Sequence, residues 1–177
     1  MRNRSKKAHA ANRPDVNGEV GEEEAFKKAL NFIRYRPRTT GEVRERLRRW
    51  GCRACVTDSV IDRLKACALL DDVKFSRVFM EELLNKGYGY YRVRGKLLEK
   101  RLDRGLVEKM MDEYPHDNEV ERARTVACRR VSRLIDEDDV ARRRKLKNYL
   151  TRRGYEGEVA EEACRNALVV DTELKRE

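Results

Sequence analysis

Few side chains in this sequence stand at spacings that could do bond chemistry. Cys52-Arg-Ala-Cys55 has the spacing of half a zinc site, but a closed site needs about four ligands, and His9 and His116 stand far away in the chain. Cys67 falls on an apolar stripe and reads as a core residue. Neither histidine has a nucleophile motif beside it, and Gly87-Tyr-Gly lacks the Lys and Ser/Thr of a phosphate-binding loop. The acid pairs Asp71-Asp72 and Asp138-Asp139 fall at inferred helix starts, where carboxylates satisfy exposed amides and favour the helix dipole. No catalytic residue, metal ligand or cofactor site is assigned, and the chain is not expected to be an enzyme.

What remains is positive charge. Lys and Arg number 42 against 32 Asp and Glu, a net +10, which implies an anionic partner: nucleic acid, a nucleoprotein or a membrane surface. The excess is unevenly placed. Thr40 to Arg53 carries five basic and two acidic residues, Tyr91 to Arg104 six and two, and Asp139 to Arg153 seven and one. Ala54 to Ala68 balances at zero, whereas Gly105 to Tyr114 and Gly157 to Arg165 each carry −2. Candidate contacts are therefore Arg44, Arg48, Arg49, Arg92, Arg94, Lys96, Lys100, Arg142, Arg143, Arg144, Lys147, Arg152 and Arg153. A stripe of this kind attracts phosphates and releases counterions, so its binding is salt-sensitive. The competing reading is a solvated face that keeps the protein soluble. Gly87-Tyr-Gly-Tyr-Tyr91 beside Arg92 and Arg94 reads either as a stacking platform for bases or as a packed loop between helices.

The elements that must position these residues are helices. Charged residues make up 42% and aromatics 7%, while Gly numbers 10 and Pro 3, a composition that disfavours a turn-rich β fold. Apolar residues recur at i, i+3, i+4 and i+7. Phe26, Ala29, Leu30 and Ile33 mark a first helix. Thr39 with Glu42 reads as a capping box for a second carrying Val43, Leu47 and Trp50, closed by Gly51, and Val60, Ile61, Leu64 and Cys67 mark a third. The order returns with Phe75, Val78, Phe79 and Leu83, then Val93 and Leu97, then Val107, Met110, Met111 and Tyr114. It returns again with Val120, Ala127, Val131 and Leu134 behind an Asn118 and Glu121 cap, then Leu146 and Leu150, then Val159 and Ala163.

Val43, Val93 and Leu146 each precede a Leu by four residues, a period of about 50. One helical turn separates each pair, so both members face one core. Arg101 stands where the other two repeats have Gly51 and Gly154, and a delayed helix end is expected there. The fold class is all-α, tandem three-helix modules in an elongated, curved array, because each module hides its remaining apolar faces by stacking; the alternative is one compact helical bundle with coincidental spacing. The boundaries are a basic tail at 1–22 (with Arg2, Arg4, Lys6, Lys7 and Arg13), modules at 23–70, 71–116 and 117–168, and a C-terminal tail at 169–177. No apolar run approaches the roughly 18 residues of a membrane span, the first residues lack a secretory core, and five cysteines do not suggest an oxidised framework. A cytoplasmic protein is expected.

Ala29-Leu30 through Arg36, Thr39-Thr-Gly-Glu-Val43, Leu69-Leu-Asp-Asp72 with Phe75-Ser76, and Gly87-Tyr-Gly-Tyr-Tyr-Arg-Val93 with Leu97 together resemble the bacterial RecX regulatory proteins. The similarity runs from about Glu23 to Leu168; Ser76, where the family often has Ala, and Arg101 depart from it. The resemblance implies a non-enzymatic modulator of RecA, the recombinase that polymerises on single-stranded DNA. It implies tandem three-helix modules docked in the filament groove, which limit strand exchange, ATP hydrolysis and stimulated repressor cleavage. The implied partners are RecA and its filament on single-stranded DNA, with direct DNA contact also open, no membrane, and the chain a monomer. The alternative is a DNA-binding transcription regulator that uses one module as a helix-turn-helix.

Overall fold

The structure is a computed structural model that describes residues 20–134 and 138–174, with side chains described as far as Val169. Arg2, Arg4, Lys6, Lys7, His9 and Arg13 lie outside the described residues. Among the described residues the chain is all-α: α1 (Glu22–Arg34), α2 (Thr40–Arg49), α3 (Ala54–Ala66), α4 (Asp72–Asn85), α5 (Tyr90–Glu99), α6 (Arg104–Asp112), a 3-10 turn (His116–Asn118), α7 (Glu119–Val131), α8 (Asp139–Arg152) and α9 (Gly157–Leu174). These helices form two compact units that divide between Asp71 and Asp72.

In the first unit α1, α2 and α3 enclose Ala25, Ala29, Val43, Leu47, Val60 and Leu64, all fully buried. The α2 start is the capping box that its sequence predicts. Glu42 N–H donates to Thr39 Oγ1 at 3.1 Å, and Thr39 N–H donates to the Glu42 carboxylate at 3.2 Å. Such a cap contributes about 1 kcal/mol. At the other end Gly51 takes φ +80°, Cys52 N–H donates to Leu47 O at 3.2 Å, and Gly51 N–H donates to Arg48 O at 3.0 Å. This Schellman turn folds Cys52 back onto the core, where it is 8% exposed. Cys67, expected in the core, is exposed instead: α3 ends at Ala66, and Leu64 is the last residue to point inward.

The second unit contains two helical bundles. Helices α4, α5 and α6 pack around Leu83, Val93, Leu97, Val107, Met110 and Met111, and α7, α8 and α9 around Ala123, Ala127, Val131, Leu146, Leu150 and Ala163. The period-50 pairs Val43/Leu47, Val93/Leu97 and Leu146/Leu150 are all at 0% exposure, which is the physical content of the repeat. Val78, placed on the α4 stripe by the sequence, is half exposed. Ser76 occupies a buried position on that helix, with its hydroxyl donating to Val73 O at 2.8 Å, so a polar atom sits in the core at little cost.

Three other boundaries differ from the sequence reading. Arg101 does not delay the end of α5. It takes φ +56° and donates its N–H to Leu98 O at 2.9 Å, the turn that Gly51 and Gly154 make elsewhere. Asn118 does not cap α7, because the 3-10 turn gives it φ −102° and ψ 9° rather than the extended backbone a capping side chain needs; Glu121 pairs with Arg124 instead. Helix α9 runs to Leu174, through the start of the stretch read as a tail.

The two bundles of this unit share a joint. Gly89 N–H donates to Arg153 O at 3.0 Å and Tyr91 N–H to Gly154 O at 3.1 Å. A Cβ on Gly89 would lie 2.6 Å from Tyr155 N, and one on Gly87 2.5 Å from Val126 Cγ2, so these glycines permit close backbone approach. Tyr155, 1% exposed, donates its hydroxyl to Gly87 O at 3.2 Å, and burial pushes its pKa up to about 12. Glu119, the first residue of α7 and 5% exposed, accepts from Tyr90 N–H at 3.0 Å and Tyr114 Oη at 2.9 Å.

Candidate functional site

The basic helices α2, α5 and α8 are each second in their bundle. Each buries the Val/Leu or Leu/Leu pair, so the intervening and following positions point outward and carry the charge. The residue directly after the first buried position reaches across to the next helix. Arg44 pairs with Asp58, Arg94 with Glu108 at 2.5 Å, and Lys147 with Glu161 at 2.8 Å. In all three pairs the carboxylate lies 14 residues beyond the cation. Arg143 Nε also donates to Glu161 at 2.9 Å, and the Lys147 and Arg143 hydrogen bonds together hold the Glu161 carboxyl at about 2. The hydrogen bonds that Arg94 donates to Glu108 lower the Glu108 pKa and raise that of Arg94. The candidates Arg44, Arg94, Arg143 and Lys147 are thus tied to carboxylates of the third helices. Sequence reasoning missed Asp58, Glu108 and Glu161, whose signal is the constant offset across an aligned repeat.

The remaining candidates divide. Arg48 and Arg49 both pair with Glu45, at 2.7 and 3.0 Å, and Lys96 pairs with Glu99 at 2.6 Å. The Lys100 ammonium lies 5.1 Å above the Phe79 ring, and Arg92 is exposed with its guanidinium 6.0 Å from the Tyr88 ring centre. Arg144 is exposed. Arg142 is 8% exposed and pairs with Asp139 at 3.5 Å, so it serves the bundle more than a partner. Arg153 braces the joint: its Nε donates to Tyr149 Oη at 2.9 Å and its Nη1 to Lys86 O and Gly87 O. Of the glycine-flanked aromatics, Tyr90 packs edge-on against Tyr91 and Tyr114 and Gly87 and Gly89 are buried, as in a packed inter-helix loop, whereas Tyr91 itself is exposed.

One concave feature gathers cations. Between the end of α7 and the last turns of α8 lies a cleft of about 570 Å³ lined by Arg130, Leu134, Lys145, Tyr149, Arg152 and Arg153. Arg130 and Lys145 were not among the candidates; nothing local in sequence says that the last turn of α7 faces the end of α8. Guanidinium and ammonium groups around an apolar floor can bind oxyanions, with arginine supplying paired donors. Nothing comparable favours metal chemistry. Among the described residues no group of three or more His, Cys, Asp or Glu side chains could hold a metal ion. Cys52 is buried, which raises its pKa, whereas Cys55 is exposed.

Comparison with known proteins bears on what these surfaces serve. The sequence models for the first and the third three-helix domains of RecX match residues 25–64 and 117–164. The chain belongs to the RecX family. A regulatory protein RecX of Clostridium acetobutylicum is 28% identical over 146 residues, covering 78% of this chain and 68% of that protein. One of Listeria welshimeri is 26% identical over 141 residues, and there the match spans about half of the relative, 52%. The crystal structure of RecX from Lactobacillus salivarius superposes with a TM-score of 0.73 at 20% identity, over 84% of this chain and 97% of that one. This places the repeated three-helix fold among RecX structures. No described helix is long and apolar enough to cross a membrane.

Proposed function

We propose that this chain is a non-catalytic cytoplasmic regulator that binds RecA and its filament on single-stranded DNA and mainly inhibits strand exchange, ATP hydrolysis and coprotease activity. The observation that carries the reading is family membership through two separate domain matches, at residues 25–64 and 117–164. The basic middle helices support it, since a filament presents anionic protein and phosphate along its length, and several weak contacts on one chain add by avidity. We assign the partner contacts to the exposed Arg92, Arg144 and Arg152 first. Arg44, Arg48, Arg49, Arg94, Lys96, Lys100, Arg143 and Lys147 contribute to the field around them, and Arg142 and Arg153 act mainly within the fold.

The test is RecA strand exchange and single-strand-dependent ATPase with the purified monomeric chain added at substoichiometric to stoichiometric ratios. Suppression of both, weakening as salt is raised, is expected; no effect at stoichiometric concentration overturns the reading. Reversing Arg92, Arg144 and Arg152 to Glu should weaken filament binding at least tenfold while helicity is kept, and unchanged binding removes these residues from the contact.

A further inference from the structure

Cations lie over many of this chain's rings. Arginine or lysine stands 3.8 to 5.6 Å from the ring centres of Phe26, Phe32, Trp50, Phe79, Tyr114 and Tyr149. Tyr91, on the basic helix α5, is different. It is 59% exposed, no cation lies over its ring among the described residues, and its ring neighbour Tyr90 stands at 89° to it, so the two do not stack face to face. Val93 and Leu97 fix the inward side of α5, and at about 100° per residue the outermost position is then Gly95, with Tyr91 about 40° to one side and Arg92 about 60° to the other. A Cβ on Gly95 would meet nothing within 4 Å, and its φ is not left-handed. Neither packing nor backbone within the chain calls for a glycine there, and glycine weakens a helix relative to alanine. The aligned turns of α2 and α8 carry Glu45 and Asn148 at this position. Side chains on a helix lean toward its N-terminus, over the residue four before, so a longer side chain at 95 would lie against the Tyr91 ring. Gly95 keeps that ring open. Cations stand beside it: the Arg92 and Arg153 guanidiniums lie 6.0 and 5.2 Å from the Tyr88 ring centre, so the joint gathers guanidiniums from two bundles around one residue. The nearby carboxylates are engaged, Glu108 by Arg94 at 2.5 Å and Glu99, two turns beyond Tyr91, by Lys96 at 2.6 Å.

We propose that Tyr91, bared by Gly95 and flanked by Arg92, is a base-stacking site for single-stranded nucleic acid. An open ring beside guanidiniums binds unpaired bases with little regard to sequence, the base stacking on the ring while its phosphates meet the arginines. An acidic peptide needs the arginines alone and gains nothing from a bared ring or an empty helical turn. Duplex DNA keeps its base faces inside its own stack, so it too meets only the cations. Tyr35, 84% exposed, is a second open ring, but it caps the C-terminal end of α1, where the helix carbonyls repel phosphate, and its neighbour Arg36 is spent on Glu42. The inference deepens the proposed filament binding and rests on its assignment of Arg92 to the partner contact, adding a hold on the strand itself.

The test uses the full chain and fluorescein-labelled oligothymidylate, read by anisotropy across salt concentrations, with a labelled duplex of the same length and a labelled polyglutamate peptide as further probes. Tyr91→Ala is expected to weaken oligothymidylate binding at least fivefold with an unchanged salt slope, and Tyr91→Phe, which keeps the ring, to stay within twofold of the wild type. Arg92→Gln should instead reduce the salt slope by about 0.7. Gly95→Gln keeps every charge and aromatic residue; it should weaken oligothymidylate binding three- to fivefold while raising the urea midpoint, a combination that a purely structural glycine would not give. Tyr35→Ala should change binding less than twofold, and duplex and polyglutamate binding should not respond to Tyr91→Ala. No oligothymidylate binding by the wild type at low salt, wild-type binding by Tyr91→Ala or by Gly95→Gln, an equal loss in Tyr35→Ala, or an equal loss on the duplex or peptide probe would each overturn the proposal. Because no RecA is present, such a result is separate from the strand-exchange test.

Discussion

The helix end at Gly51 and the helix end at Gly154 are built alike and used differently. Both glycines are left-handed, at φ +80° and +89°, and both following residues are folded onto the core by an N–H donated five residues back, to Leu47 and Leu150. Around Gly51 an added Cβ meets nothing within 4 Å, whereas at Gly154 it would lie 2.3 Å from Arg92 N and 2.4 Å from Arg92 Cβ. The first turn merely stops a helix. The second also joins two bundles, through the Gly154 and Arg153 carbonyls and the Arg153 side chain. A local motif therefore specifies the turn, and only the surface brought against it decides whether the turn is also an interface.

The sharpest way to break this comparison is Gly154→Ala against Gly51→Ala. Gly51→Ala costs the left-handed conformation alone, about 1–2 kcal/mol. Gly154→Ala adds a backbone collision, with a total expected at about 3–5 kcal/mol. Urea unfolding checks both, and equal losses would mean that the joint yields without cost. Glu119→Ala comes next. It removes the acceptor of Tyr90 N–H and Tyr114 Oη inside the same joint, and leaving buried donors unsatisfied costs about 2–3 kcal/mol. Glu45→Ala, on the helix that ends at Gly51, removes the shared partner of the exposed Arg48 and Arg49 and should cost about 1 kcal/mol.

How much of this was legible in the sequence follows from the range of the interactions. The Thr39–Glu42 box, the left-handed Gly51 and the buried Val43/Leu47, Val93/Leu97 and Leu146/Leu150 pairs are set within one or two helical turns, and the sequence shows them directly. The Asn118 cap failed because a 3-10 turn upstream set its backbone, and Cys67 left the core because α3 stops one residue before it. The basic residues were found as residues but not as a site. Whether an arginine faces Asp58, the Tyr149 ring or solvent depends on which helix lies opposite, and periodicity within one helix carries no such information. Arg142 and Arg153 illustrate the point, since neither the burial of one nor the bracing role of the other follows from position on its own helix.

The cross-helix pairs sharpen the same contrast through pH. The Glu161 carboxyl sits at about 2 because Lys147 and Arg143 hold its charged form, below the ordinary 4.5 of an unpaired glutamate. A lowered folded-state pKa contributes stability above the unfolded value and loses it as pH falls toward the folded one. The stability difference between the wild type and Glu161→Gln should therefore be full above roughly pH 5, shrink on acidification and be gone near pH 2. Urea midpoints at a series of pH values measure it. A difference independent of pH would mean that Glu161 acts through packing and not through its charge.

The smallest expected effect concerns turns that take the left-handed conformation without glycine. Ala68 has φ +55° after α3, and Leu69 N–H donates to Leu64 O at 2.9 Å, the same five-residue return seen at Gly51 and Gly154. Alanine bears the steric cost of that backbone and has no side-chain polar group to offset it, so Ala68→Gly relieves strain in the folded state. Glycine also gives the unfolded chain more freedom, which takes back part of the gain. The net expectation is a stabilisation of about 0.5–1 kcal/mol, read as a rise in the urea midpoint. Arg101, at φ +56°, should gain less on the same change to glycine, because its side chain makes contacts that the substitution removes. If Arg101→Gly proves the more stabilising of the two, backbone strain outweighs those contacts, and the second repeat is held in register despite its arginine.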